Sequence, residues 1–160
     1  MAGRILALDL GFRRVGTALS DPLGLTAQGG PVLTRKEPGE DFLWALPLVM
    51  ELVKKEEVVE VVVGIPRHLH GEEGVMAKEA RRFAQALEEA GIPTVHFDER
   101  WTSRQAERIL LERDASRRDR RRLQDRIAAM VLLQTYLESR RFSTGQGLQE
   151  TGNWEGKGPG

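Results

Sequence analysis

At 160 residues the chain fits one domain with enough length to bury a core, and 40% of it is hydrophobic. It has no cysteine, which excludes a disulfide scaffold, a zinc finger and a thiol nucleophile. Lys and Arg (24) balance Asp and Glu (24), no apolar run nears the ~20 residues of a membrane span, and Met1 to Arg14 carries no signal-peptide core, so the expectation is a soluble cytoplasmic protein.

Residues 4–10 (RILALDL) are short and apolar, end at Gly11, and predict a strand. Residues 15–20 (VGTALS) predict a second strand, and the four residues between the two imply an antiparallel hairpin. Residues 26–34 form a weaker third strand, with a kink or bulge marked by Gly29, Gly30 and Pro31. The period then changes. Apolar residues at 42, 43, 46, 49, 50 and 53 predict a helix over 40–55. Residues 58–65 (VVEVVVGI) are a β-branched run closed by Pro66, typical of a strand buried on both faces. A helix follows over 72–90, ended by Gly91 and Pro93, and 94–99 (TVHFDE) predicts the fifth strand. Residues 102–113 begin with a capping-box pattern, Thr102 and Gln105, and 120–141 predict a longer helix. From 143 to 160 there are six Gly and only two large apolar residues, Leu148 and Trp154, which predicts a disordered tail after a domain over 1–142.

Three antiparallel strands followed by alternating helix and strand predict an α/β fold: a five-stranded mixed sheet with helices on both faces. Right-handed crossovers give the strand order 3-2-1-4-5. The first strand is then central, beside the switch from antiparallel to parallel pairing, where sites gather at strand C-termini.

The balanced charge hides an asymmetry. Residues 1–99 hold 11 basic and 16 acidic residues, whereas residues 100–126 hold 10 basic and 5 acidic. A basic block in a neutral protein suits a surface that meets an anion, nucleic acid first, or a solvated arginine-rich helix face. Arg13 and Arg14 in the hairpin turn, Arg67, Arg100, Arg117, Arg118, Arg121 and Arg122 are the candidate phosphate contacts, since guanidinium groups bind phosphate oxygens in pairs. His68 and His70 lie two apart in the loop after Pro66 and read as loop residues facing solvent or RNA before a metal pair.

Three carboxylates stand where acids are costly. Asp9 ends the central strand on the face of Ile5 and Ala7; it meets a cation or accepts backbone N–H bonds near Gly11. Glu99 shares a face with Val95 and Phe97, while Asp98 points away; Glu99 faces the same region as Asp9, pairs with Arg100 or caps the next helix. Asp125 shares a helical stripe with Ala128, Ala129, Leu132 and Tyr136, and either pairs with Arg121 or Arg122 or faces a metal. Convergence of Asp9, Glu99 and Asp125 would make an all-oxygen site for Mg²⁺ or Mn²⁺, suited to phosphodiester cleavage. The first and fifth strands lie about 10 Å apart at ~4.8 Å per step. A glutamate arm helps to cross that gap, and Gly64 between them leaves space.

LALDLGFRRVGTALSD, VVVGIPRHLHGEEG, FDERWTSRQAERIL and LQDRIAAMVLLQTYL resemble, in order and spacing, the four blocks of the YqgF/RuvX family, over about residues 4–140. The resemblance implies a ribonuclease H-like fold related to the Holliday-junction resolvase RuvC. It implies a metal-dependent nuclease acting on structured nucleic acid, in maturation of the pre-16S rRNA 5′ end or on four-way DNA. The family's acidic positions fall on Asp9, Glu99 and Asp125. The loop RHLHGEEG departs from the family's small-polar, Asn-containing pattern. Two other readings compete: a nucleic-acid-binding module without catalysis, and an actin-like ATPase relative, which length and the lack of a GxxxxGK[ST] sequence oppose.

Overall fold

The structure is a computed structural model, and it describes residues 3–66, 73–102, 104–114 and 120–145; the side chains of 113–126 and 142–145 are not described. Arg67, His68, His70, Arg117, Arg118 and residues 146–160 lie outside the described residues.

The strands are β1 (Arg4–Leu10), β2 (Arg14–Ser20), β3 (Ala27–Gly29), β4 (Leu33–Thr34), β5 (Val58–Ile65) and β6 (Thr94–Asp98). They form one sheet in the order β3-β2-β1-β5-β6, with β4 also paired to β2. β1 runs antiparallel to β2 and parallel to β5, and β5 runs parallel to β6. The expected order stands, but the third strand is two short pieces, which makes six strands among the described residues. Gly30 and Pro31 cause the break. Proline has no N–H to give the ladder; instead the Gly30 N–H donates to the Thr17 carbonyl (2.9 Å), and the Thr17 hydroxyl donates to the Pro31 carbonyl (2.6 Å).

The helices are α1 (Leu46–Lys55), α2 (Val75–Glu89), α3 (Arg104–Asp114) and α4 (Arg120–Gly145). α1 starts six residues later than the expected 40. Pro47 sits in its first turn, where a missing N–H costs nothing, and a single 3-10 turn at Leu43–Ala45 precedes it. α2 ends before Gly91, whose φ of +86° only glycine adopts readily. α4 continues to Gly145, past the expected boundary at 142. No helix among the described residues is long and apolar enough to cross a membrane.

The alternation of β1 divides the core in two. Leu6, Leu8 and Leu10 join Val61, Val63, Ile65 and the apolar stripe of α2, Ala77, Ala80, Phe83, Ala84 and Leu87. Ile5 and Ala7 join Val62, Val95, Phe97 and the buried face of α4, including Ala129, Leu132, Leu133, Tyr136 and Leu137. β5 is buried on both faces over Val61–Val63, as its continuous β-branched run implies. Asp9 continues the Ile5–Ala7 face, so it points to the α4 side.

Candidate active site

Asp9 is paired with Gly16 across the hairpin, one residue before the end of β1. Gly11 makes the turn possible: a Cβ there would stand 2.6 Å from the Arg14 carbonyl oxygen. Glu99 follows the last residue of β6 and opens a 3-10 turn, Glu99–Trp101. The Thr102 hydroxyl donates to the Glu99 carbonyl (2.9 Å) and closes that turn. α3 begins at Arg104, two residues after the Thr102 at which a capping box was expected, and Thr102 closes the 3-10 turn before it.

The gap between β1 and β6 is crossed over Gly64. A Cβ on Gly64 would lie 2.6 Å from Glu99 Oε1 and 3.1 Å from its Cγ, so the glutamate arm lies directly across the glycine. There it hydrogen-bonds to the Asp9 carboxylate. Asp9 and Glu99 line one cavity of about 240 Å³ with Thr102, Glu107 of α3, and Ile127, Ala128, Val131 and Leu132 of α4.

Two carboxylates in a hydrogen bond must share a proton or meet a cation. Burial pushes the Glu99 carboxyl up to about 8; the charge of Asp9, the hydrogen bond to it and the charge of Asp98 act in the same direction. At neutral pH Glu99 therefore keeps its proton. An all-oxygen pair of this kind suits a hard divalent cation, which would replace that proton. Position 125 lies three and seven residues before Ala128 and Leu132 on α4, on the helical stripe that lines the cavity; its side chain lies outside the described residues. Among the described residues no group of three potential metal ligands occurs.

The neighbouring acid has a different task. Asp98 is fully buried and faces Arg100, whose Nε and Nη2 donate to its carboxylate (2.7–3.1 Å), as does the Arg100 backbone N–H (2.9 Å). The pairing with Arg100 considered for Glu99 thus falls to Asp98. Arg100, expected to contact phosphate, carries this structural ion pair with about a third (32%) of its side chain exposed. Arg13 is exposed in the turn after Asp9, and Arg14, expected in that turn, is instead the exposed first residue of β2. Positions 121 and 122 are in the first turn of α4, with side chains outside the described residues.

Sequence reasoning missed Glu107. In RQAERIL it reads as the partner of Arg104, three residues earlier; only the packing of α3 beside α4 brings it to the cavity wall.

A family model described as RuvX, Holliday junction resolvase, matches residues 3–139. A protein of Syntrophomonas wolfei named "Putative pre-16S rRNA nuclease" is 46% identical over 136 residues, covering 84% of this chain and 94% of its own length. One of the same name from Pelotomaculum thermopropionicum is 42% identical over 158 residues, 98% of this chain and 96% of its own. Among solved structures, T. thermophilus RuvC in complex with a Holliday junction substrate superposes with a TM-score of 0.65 at 17% identity, over 88% of this chain and 97% of that one. That likeness establishes the ribonuclease H-like fold.

Proposed function

We infer a function from the premise that this chain belongs to the RuvX family: it is a nuclease that hydrolyses phosphodiester bonds in structured nucleic acid. The observation that carries the reading is the contact between Asp9 and Glu99 in one small cavity at the end of the central strands. Burying two acids together costs stability, and a site that binds a cation and a phosphate returns that cost.

Asp9, Glu99 and Asp125 are the proposed catalytic residues and the ligands of Mg²⁺ or Mn²⁺. A divalent cation held by these three carboxylates would supply the Lewis acidity that hydrolysis of a phosphodiester needs. The chain's own part is positional and protonic. Glu99 would have to lose its proton to hold a cation, so affinity for the cation would rise as pH increases through about 8. Ile127, Ala128, Val131 and Leu132 wall the cavity with apolar surface, which strengthens the field of the carboxylates. Arg13 and Arg14 lie on the hairpin that carries Asp9. With Arg67, Arg117, Arg118, Arg121, Arg122 and the exposed part of Arg100 they are proposed to hold backbone phosphates. Such contacts set position and salt dependence and carry no sequence information.

The substrate proposed first is precursor 16S rRNA, which the curated relatives' name specifies. The second is a four-way DNA junction, favoured by the family's description. The test is cleavage of end-labelled precursor RNA and of a four-way DNA junction side by side, in Mg²⁺ and in Mn²⁺, by the wild type and by Asp9→Asn. Metal-dependent cutting of the RNA that Asp9→Asn abolishes supports the first reading, and cutting of the junction alone supports the second. Binding without cleavage in either metal would leave a nucleic-acid-binding module and sink the nuclease.

A further inference from the structure

Among the candidate arginines, Arg13 and Arg14 follow Asp9 by four and five residues in the chain, and the turn that leads to them is held by a residue with no assigned role. Arg35 follows β4. Its backbone N–H donates to the Arg13 carbonyl (3.1 Å), beyond the last β2–β4 pair at Arg14 and Thr34. Its side chain turns back, and Nη1 donates to the Phe12 carbonyl (3.4 Å) and to the Asp41 carbonyl (3.2 Å). The guanidinium lies 5.7 Å from the centre of the Trp44 ring and 3.8 Å from the Asp41 carboxylate. Gly39 packs against it so closely that a Cβ there would collide with Nη2. Only 13% of the side chain is exposed. Beside it the Phe12 ring stacks on Phe42 at 5.0 Å, and Phe42 is itself buried. Two successive carbonyls of the turn, those of Phe12 and Arg13, are therefore taken by one arginine, and the ring of Phe12 is seated on the same segment.

We propose that Arg35 is a positioning residue of the nuclease site: it locks the turn at 11–13, and through the turn it sets the placement of Arg13 and of the Asp9 carboxylate. An arginine whose charge faces protein carbonyls and an indole ring is not available to bind phosphate. Its planar fork reaches the turn on one side and Asp41 on the other, which a lysine ammonium does not reproduce. Without it, Arg13 and Asp9 keep their places in the sequence but lose the rigid support that a site needs. The inference rests on the nuclease reading for its consequence in catalysis, and on geometry alone for the clamp.

The experiment compares wild type, Arg35→Met, Arg35→Lys and Leu52→Ala. Methionine keeps apolar contact with Trp44 and removes the side-chain donors to Phe12 and Asp41, leaving the backbone bond to Arg13 in place. Leu52 belongs to the same core cluster but lies near the end of α1 beside Glu56, which pairs with Arg4 at the start of β1, so it controls for general loss of stability. Hydrogen exchange of the amides at 11–16 is expected to accelerate at least about tenfold in both Arg35 variants and not in Leu52→Ala at equal distance below its melting point. Binding of a labelled RNA hairpin and a four-way DNA junction is then measured against salt, with Arg13→Ala added to each background. In the wild type, Arg13→Ala is expected to weaken binding about three- to tenfold and to lower the salt slope by about one. On the Arg35→Met background it should change affinity less than about twofold, the mark of two residues acting through one element. Turnover of Arg35→Met should fall at least about tenfold in kcat, whereas Arg13→Ala acts mainly on KM. Unaltered exchange at 11–16, or an Arg13→Ala cost that is the same in both backgrounds, overturns the proposal. If the wild type cuts neither probe, the nuclease reading fails, while exchange still decides whether Arg35 clamps the turn.

Discussion

Replacing Glu99 by Gln tests the shared-proton pair most directly. The amide keeps the shape and can still donate to Asp9, as the protonated acid does, but it cannot ionise. In the folded protein Glu99 stays protonated up to about 8, against 4.5 for an ordinary glutamate. Between those values the folded state binds the extra proton, so the stability of the metal-free wild type falls as pH rises through that window. At about 1.4 kcal/mol per pH unit, a rise from 4.5 to about 8 corresponds to on the order of 5 kcal/mol, an upper bound. Coupling to Asp9 and partial access of water reduce it, and about 2–4 kcal/mol is expected. The assay is denaturant unfolding of both proteins in chelator from about pH 5 to about pH 9, read as the difference between them. Near pH 5 the two should match within about 1 kcal/mol; near pH 9 the variant should be the more stable by the full amount. Added Mg²⁺ or Mn²⁺ should restore the wild type at high pH and leave the variant nearly unchanged. A difference that does not vary with pH would refute the reasoning, because it would mean that Glu99 ionises normally and does not share a proton with Asp9.

Gly64→Ala places a methyl group 2.6 Å from Glu99 Oε1, and the flexible carboxylate must move off Asp9; cleavage should drop by about 100-fold or more while melting shifts only slightly. Arg100→Ala removes the guanidinium that faces the buried Asp98 carboxylate and should lower the melting temperature, with partial recovery when Asp98→Asn is added. Asp125→Asn should melt at or above the wild type in chelator, by on the order of 1 kcal/mol, and gain less from Mg²⁺; a clear loss in chelator with the metal response unaltered would make Asp125 an ion-pair partner of Arg121 or Arg122 instead. Deleting residues 146–160, with Leu148 and Trp154 as their only large apolar groups, should leave the melting temperature within a degree or two; a larger fall would mean that Trp154 docks on the domain.

Much of the fold was legible because its signals are local. Alternation in RILALDL, the β-branched run VVEVVVGI and the Gly–Pro punctuation report period and burial within a few residues, and right-handed crossovers leave few ways to order the strands. Asp9 and Glu99 were legible for the same reason: an acid that continues an apolar face is conspicuous in one dimension. What needed the tertiary structure is what depends on distance between elements. Sequence alone left Glu99 free to pair with Arg100; the buried Asp98 takes that arginine, and Gly64 opens the path that brings Glu99 to Asp9. Glu107 and Arg35 show the converse. Each looks like an ordinary surface charge within its own segment, and each acquires its place from neighbours far along the chain, α4 for Glu107 and the hairpin turn for Arg35. Hydrophobic period is encoded by near neighbours, so composition and spacing reveal it. The partner of a charge is chosen by packing, through contacts that only the folded chain brings within a few ångströms.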